Sequence, residues 1–115
     1  MDDILFPGAG MCVATVKAAS RRTPIVLGKP ATRMLDLLDR EAGLVRERTV
    51  MIGDRIETDI AFGRLGGLST LLVLSGVSDE AHLTANASRE DGITPDYVLS
   101  GLKNLLDINP SERTS

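Results

Sequence analysis

TVMIGDRIETD, residues 49–59, joins a short apolar run to two carboxylates. The apolar residues at 50–52 show no polar alternation, which is typical of a strand buried on both faces of a parallel sheet. Gly53 ends this run, so Asp54 is expected at the carboxyl end of a strand. Open α/β sheets bind their ligands at that edge, because the loops there lead into helix N-termini. The segment therefore predicts an α/β fold with a ligand site at Asp54.

The second acid of this segment, Asp59, follows five residues after Asp54. If a helix begins near Ile56, Asp59 lies about one turn inside it and can point back toward Asp54. Two carboxylates supply hard oxygen ligands for a cation such as Mg²⁺. The same spacing also fits a capping box, in which Asp54 and Glu57 satisfy backbone N–H groups without any metal. The segment alone leaves both interpretations open.

The composition indicates one globular domain and excludes several classes of protein. The 115 residues are 43% hydrophobic and 25% charged, an ordinary balance for a globular protein. No apolar run approaches the roughly 18 residues of a membrane span, and the first residues do not resemble a secretory signal, so we expect a soluble, cytoplasmic protein without membrane contact. A net charge of −3 without a basic patch argues against a nucleic-acid partner. The single cysteine, Cys12, is expected to be a small core residue.

Apolar periodicity and Gly/Pro punctuation predict alternating helices and strands along the chain. Such alternation predicts a parallel sheet with helices on its faces. Between an early strand and a long helix lies Gly28-Lys29-Pro30, where the glycine permits an unusual turn and the proline suits the first helical position. The expected helices cover residues 11–20, 31–42, 56–65, 79–88 and 101–108, and the expected strands cover residues 24–27, 50–52, 69–75 and 95–99.

Four motifs resemble the haloacid dehalogenase (HAD) superfamily, and within it the phosphoglycolate phosphatase and 4-nitrophenylphosphatase group. The resemblance runs from about Phe6 to Leu106, with the motifs in the order and spacing of that group. The motifs are Phe6-Pro7-Gly8-Ala9-Gly10, Gly28-Lys29-Pro30, Thr49-Val50-Met51-Ile52-Gly53-Asp54-Arg55 with Thr58-Asp59-Ile60, and Leu74-Ser75-Gly76-Val77-Ser78.

The resemblance implies a role for each of three residues in phosphate monoester hydrolysis. Lys29 matches the lysine that neutralises the nucleophile and the transferring phosphoryl group. Asp54 matches the acidic Mg²⁺ ligand, and Asp59 matches its companion carboxylate. A lysine and a carboxylate-bound cation both stabilise the charge that develops on phosphoryl oxygens, so the chemistry agrees with these roles. The expected substrate is a small phosphorylated metabolite.

The chain departs from the family pattern in its nucleophile. The family uses an aspartate within an Asp-x-Asp motif on the first strand of the sheet, and a later Ser or Thr that holds the phosphate, and neither is found here. Asp2 and Asp3 are adjacent and follow no strand. We therefore expect the C-terminal part of a HAD-type core, a partial Rossmann-like three-layer sheet lacking the N-terminal strands and the cap, with an ordered core over residues 6–108 and a polar tail over residues 109–115.

Three functions remain open at this point. The chain is a Mg²⁺-dependent phosphatase by descent that is inactive alone, a non-catalytic metal- or phosphate-binding partner of a full-length relative, or a receiver-like domain with Asp54 as phosphoacceptor. The last is the weakest, because it needs an acidic pair from an earlier strand. The half-site predicts weak Mg²⁺ binding by Asp54 and Asp59. The missing neighbour of residues 50–52 predicts self-association or pairing with an N-terminal half.

Overall fold

A parallel sheet of three strands forms the centre of the computed structural model, which describes residues 8–106. The strands are β1 (Val50–Gly53), β2 (Ser69–Val73) and β3 (Tyr97–Leu99), and they pair in the order β1-β2-β3. Both pairings are parallel, and β1 is bonded only to β2 within these residues. The predicted α/β class with a partial Rossmann-like parallel sheet is confirmed. The expected ends of the ordered core, at residues 6 and 108, and the tail lie outside the described residues.

The connecting segments are helical. Residues 8–106 contain four α-helices, which are α1 (Ala9–Ser20), α2 (Arg33–Ala42), α3 (Ala61–Leu65) and α4 (Glu80–Ala87). A π-helical turn, Ile56–Ile60, runs directly into α3, and one-turn 3-10 helices cover Arg46–Arg48 and Leu102–Leu105. Within residues 8–106, no helix is long and apolar enough to cross a bilayer.

The hydrophobic core consists of two clusters packed against the helical face of the sheet. In one cluster, Leu35 of α2 packs with Phe62 of α3 and with Leu68. In the other, Ile56 and Ile60 of the π-helical turn pack on Leu72 of β2, with Leu74, Leu83 and Ile93 around them. The π-helical turn and α3 are therefore attached to the sheet by buried aliphatic and aromatic side chains, which supply the main favourable term in folding.

Helix α3 approaches the sheet at a glycine. A Cβ atom built on Gly63 would lie 2.5 Å from Cγ2 of Thr70 and 2.9 Å from Cβ of Met51. These distances are shorter than van der Waals contact, so only glycine fits here without moving the helix away from β1 and β2. The residue thus sets the spacing between the helical layer and the strands.

The opposite face of the sheet is less covered than the expectation of helices on both faces implies. Val50 and Ile52 of β1 are 45% and 36% exposed, and Tyr97 of β3 is 60% exposed. Helix α1 buries none of its residues, so Cys12 is exposed rather than in the core. Burial of the apolar side chains on this face needs a covering element that residues 8–106 do not supply.

Several expected elements differ from the structure in type or extent. Residues 24–27 are an exposed extended segment and not a strand, because no neighbouring strand within the described residues offers them a hydrogen-bonding partner. The expected helix over residues 101–108 is only the 3-10 turn Leu102–Leu105 as far as Leu106, and its last two residues lie outside the described part. Helix α2 begins at Arg33 and not at Ala31, because residues 28–31 first close a turn in which the Ala31 N–H donates to the Gly28 carbonyl at 3.1 Å.

Asp96 completes the sheet just before β3 begins. Its Oδ2 accepts hydrogen bonds from the Thr70 backbone N–H at 2.8 Å and from the Thr70 hydroxyl at 2.9 Å. The Asp96 N–H in turn donates to Oγ1 of Thr70 at 3.0 Å, and Arg64 of α3 donates to Asp96 Oδ1 at 2.8 Å. The Thr70 hydroxyl and N–H hold the pKa of Asp96 below its ordinary value, with a smaller contribution from Arg64. The carboxylate therefore takes the place of a strand carbonyl.

Replacing the most central leucine should destabilise the domain. Leu72 is fully buried between Ile56 and Ile60, so Leu72→Ala is expected to lower the free energy of unfolding by about 2–5 kcal/mol. Leu65→Ala is the matched control, because Leu65 is 69% exposed and its loss should change the free energy by no more than about 0.5 kcal/mol. Urea unfolding followed by circular dichroism measures both. Equal effects would contradict the assignment of the core.

Asp96→Ala should also destabilise the fold, and in a pH-dependent way. The buried Thr70 N–H and hydroxyl lose their acceptor, which costs about 1–3 kcal/mol. The folded-state pKa of Asp96 is depressed, so its contribution is present above the unfolded pKa near 4 and is lost as the pH falls through the folded value. The difference in the free energy of unfolding between wild type and Asp96→Ala, measured by urea unfolding at several pH values, should therefore shrink below about pH 4.

The surface pair Arg89–Asp91 provides the control for this experiment. The pKa of Asp91 is also lowered, by its hydrogen bond and charge contact with Arg89, but its side chain is 77% exposed. Asp91→Ala should therefore change stability little at any pH. If wild type and Asp96→Ala differ in the free energy of unfolding by the same amount from pH 7 to pH 3, the proposed role of the Asp96 carboxylate is contradicted.

Candidate functional site

A shallow cleft of about 350 Å³ lies at the carboxyl end of β1. It brings together all three residues that the sequence singled out, although Lys29 precedes Asp54 by a long stretch of chain. The residues that line the cleft are Lys29, Asp54, Arg55, Thr58, Asp59 and Val77. Basic, acidic and hydroxyl groups thus meet at the sheet edge where α/β folds bind ligands.

Lys29 and Asp59 form an ion pair across this cleft. Nζ of Lys29 lies 2.5 Å from Oδ1 of Asp59. The Asp59 side chain is only 7% exposed, whereas the Lys29 side chain is 44% exposed. The lysine therefore neutralises a buried carboxylate while part of its own side chain remains accessible to a ligand.

Asp59 is held against the end of β1 by the π-helical turn. Its Oδ2 accepts a hydrogen bond from the Arg55 backbone N–H at 3.2 Å. A Cβ atom built on Gly53 would overlap Cβ, Cγ and Oδ2 of Asp59, so the carboxylate lies directly on the glycine backbone. Both oxygens of Asp59 are engaged, one by Lys29 and one by Arg55, and its orientation is fixed.

Asp54 is bound by the loop that follows β2. Its Oδ2 accepts from the Val77 N–H at 3.0 Å, and its backbone carbonyl accepts from the Ser78 N–H at 2.8 Å. The capping-box alternative is therefore wrong: Asp54 accepts from the distant Val77, and the π-helical turn begins without a side-chain cap. Asp59, and not Glu57, bonds the N–H of Arg55 at the start of this turn.

The donor set of the cleft fits a Mg²⁺ ion in its chemistry but supplies few ligands. Asp54 has one carboxylate oxygen, Oδ1, that accepts no hydrogen bond from the described residues. Asp59 lines the same cleft, and carboxylate oxygens are the ligands that Mg²⁺ takes in proteins. Residues 8–106 contain no group of three or more His, Cys, Asp or Glu side chains arranged to hold a metal. Any cation here would need water or phosphate oxygens as further ligands.

Three contributors to the cleft were not singled out from the sequence. Arg55 and Thr58 line it between the two acids, and Val77 lines it from the loop after β2. Gly76, which ends the apolar run of β2, could have predicted Val77 as a lining residue. The loop after β2 lies beside Asp54, because β2 is the parallel neighbour of β1. In the sequence, Leu74–Ser78 is distinguished only by the family resemblance.

The family follows from a comparison with known proteins. A family model described as HAD-hydrolase-like matches residues 26–105 of the chain. The chain belongs to the haloacid dehalogenase superfamily of hydrolases. Within it, the resemblance to the phosphoglycolate phosphatase and 4-nitrophenylphosphatase group is confirmed by the relatives that match.

Two curated relatives illustrate the similarity in sequence. Phosphoglycolate phosphatase 2 of Arabidopsis thaliana is 42% identical over 106 residues, which cover 92% of this chain and 34% of the relative. Glycerol-3-phosphate phosphatase of Gallus gallus is 36% identical over 105 residues, covering 88% of this chain and 34% of the relative. The chain thus spans about a third of the length of the curated relatives that it matches.

Solved structures agree with the fold. A p-nitrophenyl phosphatase from Archaeoglobus fulgidus superimposes with a TM-score of 0.76 at 33% identity, covering 89% of this chain and 39% of that chain. A 4-nitrophenylphosphatase from Thermotoga maritima gives a TM-score of 0.76 at 32% identity, covering 88% and 37% respectively. The α/β architecture described above is therefore that of HAD-fold phosphatases.

Gly53→Ala should disturb Asp59 specifically. The new methyl group would overlap the Asp59 side chain, so we expect a loss of about 1–3 kcal/mol in the free energy of unfolding and faster hydrogen exchange at the Arg55 amide. Gly28→Ala is the matched control beside Lys29, because no atom lies within 4 Å of its built Cβ. Unchanged exchange at the Arg55 amide in Gly53→Ala would contradict the close packing of Asp59 on β1.

Proposed function

We propose that this segment forms the lysine and carboxylate half of a Mg²⁺-dependent phosphatase site. The observation that carries the proposal is the cleft at the end of β1, where the Lys29–Asp59 ion pair and the Asp54 carboxylate meet. Phosphatases of the HAD superfamily are generally metal-dependent, usually on Mg²⁺. The arrangement combines a positive side chain for phosphoryl oxygens with carboxylate oxygens for a cation.

Asp54 is the proposed cation ligand through Oδ1, and Asp59 is the proposed companion carboxylate. When bound, Mg²⁺ would polarise a phosphoryl oxygen and offset the charge that develops during transfer. Asp54 is suited to the direct contact, because only Oδ2 is occupied by the Val77 N–H. Asp59 has both oxygens engaged by Lys29 and Arg55, which favours an indirect contact through water.

Lys29 is the proposed phosphate-binding residue. Its ammonium group is a compact point charge with three donors, so one N–H can stay on Asp59 while others reach a phosphoryl oxygen. The 44% exposure of its side chain permits this contact. Asp59 then acts as the anchor that keeps the lysine over the cleft.

The attacking carboxylate is proposed to come from residues outside this segment, because its 115 residues contain no Asp-x-Asp pair. The free edge of β1 is the proposed place for the strand that carries it. This edge is unpaired within the described residues, and Val50 and Ile52 on it are exposed. A parallel strand added there would end beside Asp54, so its C-terminal carboxylate would face the same cleft.

The proposed substrates are small phosphate monoesters of the kind named for the relatives, phosphoglycolate and 4-nitrophenyl phosphate. A cleft of about 350 Å³ is large enough for a phosphoryl group and a few further atoms. A receiver-like role for Asp54 finds no support, since residues 8–106 hold no acidic trio around it.

Metal binding tests the proposal directly. We expect the chain to bind Mg²⁺ with a dissociation constant on the order of millimolar, because Mg²⁺ usually takes carboxylates together with substrate phosphate. Asp54→Ala should abolish this binding, whereas Glu57→Ala should leave it unchanged, since Glu57 is an exposed acid outside the cleft. Amide chemical shifts of a ¹⁵N-labelled chain report both. Equal binding by wild type and Asp54→Ala would reject the site.

Hydrolysis tests the missing half of the site. The 115-residue chain alone should not hydrolyse 4-nitrophenyl phosphate with Mg²⁺ above the buffer rate, because a positioned nucleophile is needed for barrier reductions of at least about 8 kcal/mol. Adding a polypeptide that contains the first two thirds of a relative should restore turnover that Lys29→Ala abolishes. Robust turnover by the pure chain that Asp54→Asn removes would show that the attacking group lies within these residues.

The same mixture tests the β1 edge. If a strand from the added polypeptide pairs there, the amides of Val50 and Ile52 should gain protection from hydrogen exchange on mixing. Sedimentation of the chain alone distinguishes the other occupant, a second copy of itself. Protection of these amides in a monomeric, unmixed chain would contradict a free edge.

A further inference from the structure

The loop after β2, Gly76–Ser78, contacts Asp54 through each of its three residues. The Val77 N–H donates to Asp54 Oδ2 at 3.0 Å, and the Ser78 N–H donates to the Asp54 carbonyl at 2.8 Å. Two successive amides therefore hold the side chain and the backbone of one residue. This fixes the position of Asp54 relative to β2 as well as to its own strand.

Gly76 makes room for the Asp54 carboxylate. A Cβ atom built on Gly76 would overlap Oδ2, Cβ and Cγ of Asp54. Any other residue at this position would push the carboxylate away from the Val77 N–H. The glycine is thus required by the close approach of the loop to the acid and not by an unusual backbone angle.

Ser78 connects this loop to the π-helical turn. Its residue is only 4% exposed, and its Oγ accepts the backbone N–H of Ile56 at 3.3 Å. Ile56 begins the turn that carries Asp59, and its own side chain is fully buried against Leu72. One buried hydroxyl therefore joins the loop that holds Asp54 to the turn that holds Asp59.

We propose that Gly76–Ser78 is a positioning element for the metal-binding carboxylate. It keeps Oδ2 of Asp54 on the Val77 N–H, so that Oδ1 is the oxygen available to a cation, and it fixes the spacing between Asp54 and Asp59 through Ser78. The inference rests on the proposed function of Asp54. It assigns a role to a motif that lies outside the lysine and carboxylate residues themselves.

Positioning of Asp54 should affect Mg²⁺ affinity because this ion has a strict coordination geometry. This ion requires near-octahedral oxygen ligands at short distances, so a carboxylate that rotates freely binds it less well. Groups that hydrogen-bond a metal ligand typically change metal affinity by about 10–100-fold when they are removed. With only two protein carboxylates in the cleft, the orientation of Asp54 has a large share in the affinity.

The test uses Mn²⁺ as a paramagnetic substitute for Mg²⁺, with the broadening of the Arg55 amide signal as the measure of binding. Ser78→Ala is expected to weaken binding by up to about tenfold, because its hydroxyl holds the turn that carries Asp59 and does not bond a metal ligand directly. Gly76→Ala should do the same through overlap with Asp54 while retaining the Ser78 hydroxyl. Ser75→Ala is the matched control, because Ser75 is an exposed serine directly before this loop, and its side chain makes no hydrogen bond within residues 8–106.

A second measurement separates positioning from general stability. In the metal-free protein, the Val77 amide shift should move in Ser78→Ala and Gly76→Ala toward its value in Asp54→Ala, while Ser75→Ala leaves it in place. Folded Ser78→Ala and Gly76→Ala variants with wild-type Mn²⁺ affinity would overturn the inference. If Ser78→Ala does not fold, Gly76→Ala alone decides.

An error in the proposed metal site and an error in the positioning claim give different results. If Asp54→Ala binds Mn²⁺ as tightly as wild type, the metal site is wrong. The Val77 amide then decides the positioning claim: an unchanged shift in Ser78→Ala and Gly76→Ala rejects it, and a shift toward that of Asp54→Ala supports it for Asp54 without a metal.

Discussion

The packing of Ile56 and Ile60 on Leu72 is the contact on which the site depends. All three side chains are fully buried, and they fix the π-helical turn across β1 and β2. Asp59 lies within this turn, so the apolar contact determines where its carboxylate stands relative to Gly53 and Asp54. π-Helical turns are rare in proteins, but those that occur are often found at functional sites, because their wider hydrogen-bond spacing redirects side chains. Here it brings a buried acid onto the end of a strand.

Side chains complete the hydrogen bonding that such short strands leave open. Asp96 accepts the Thr70 N–H where β3 has not yet begun, and Ser78 accepts the Ile56 N–H where the π-helical turn starts. Both acceptors serve donors in or beside the core, where an unsatisfied N–H would be costly. The sheet therefore remains regular with strands of three to five residues.

Burial was predicted correctly from the sequence for elements whose neighbours lie among residues 8–106, and incorrectly for elements whose neighbours do not. The apolar runs at 50–52 and 69–73 pair with one another, and their burial follows from that pairing. Residues 24–27 and helix α1 have equally apolar patterns, but no partner among residues 8–106 covers them. Periodicity shows which side chains need burial and not what buries them. The Lys29–Asp59 ion pair joins residues far apart in sequence, so periodicity could not predict it, and the family resemblance assigned both residues to one site without pairing them.

Under the proposed function, the charges of the cleft favour a cation at Asp54. Lys29 neutralises the buried Asp59 through one carboxylate oxygen, and the neutral backbone N–H of Arg55 engages the other. Asp54 receives one neutral backbone N–H and keeps its negative charge. A cation attracted to the cleft therefore experiences Asp54 most strongly, and a phosphoryl group experiences the exposed part of Lys29. Under the proposed function, the cation would bind at Asp54 and the phosphoryl group at Lys29, within the same cleft. Each would lower the electrostatic cost of the other, because a phosphate brings oxygens to the cation and the cation brings charge to the phosphate.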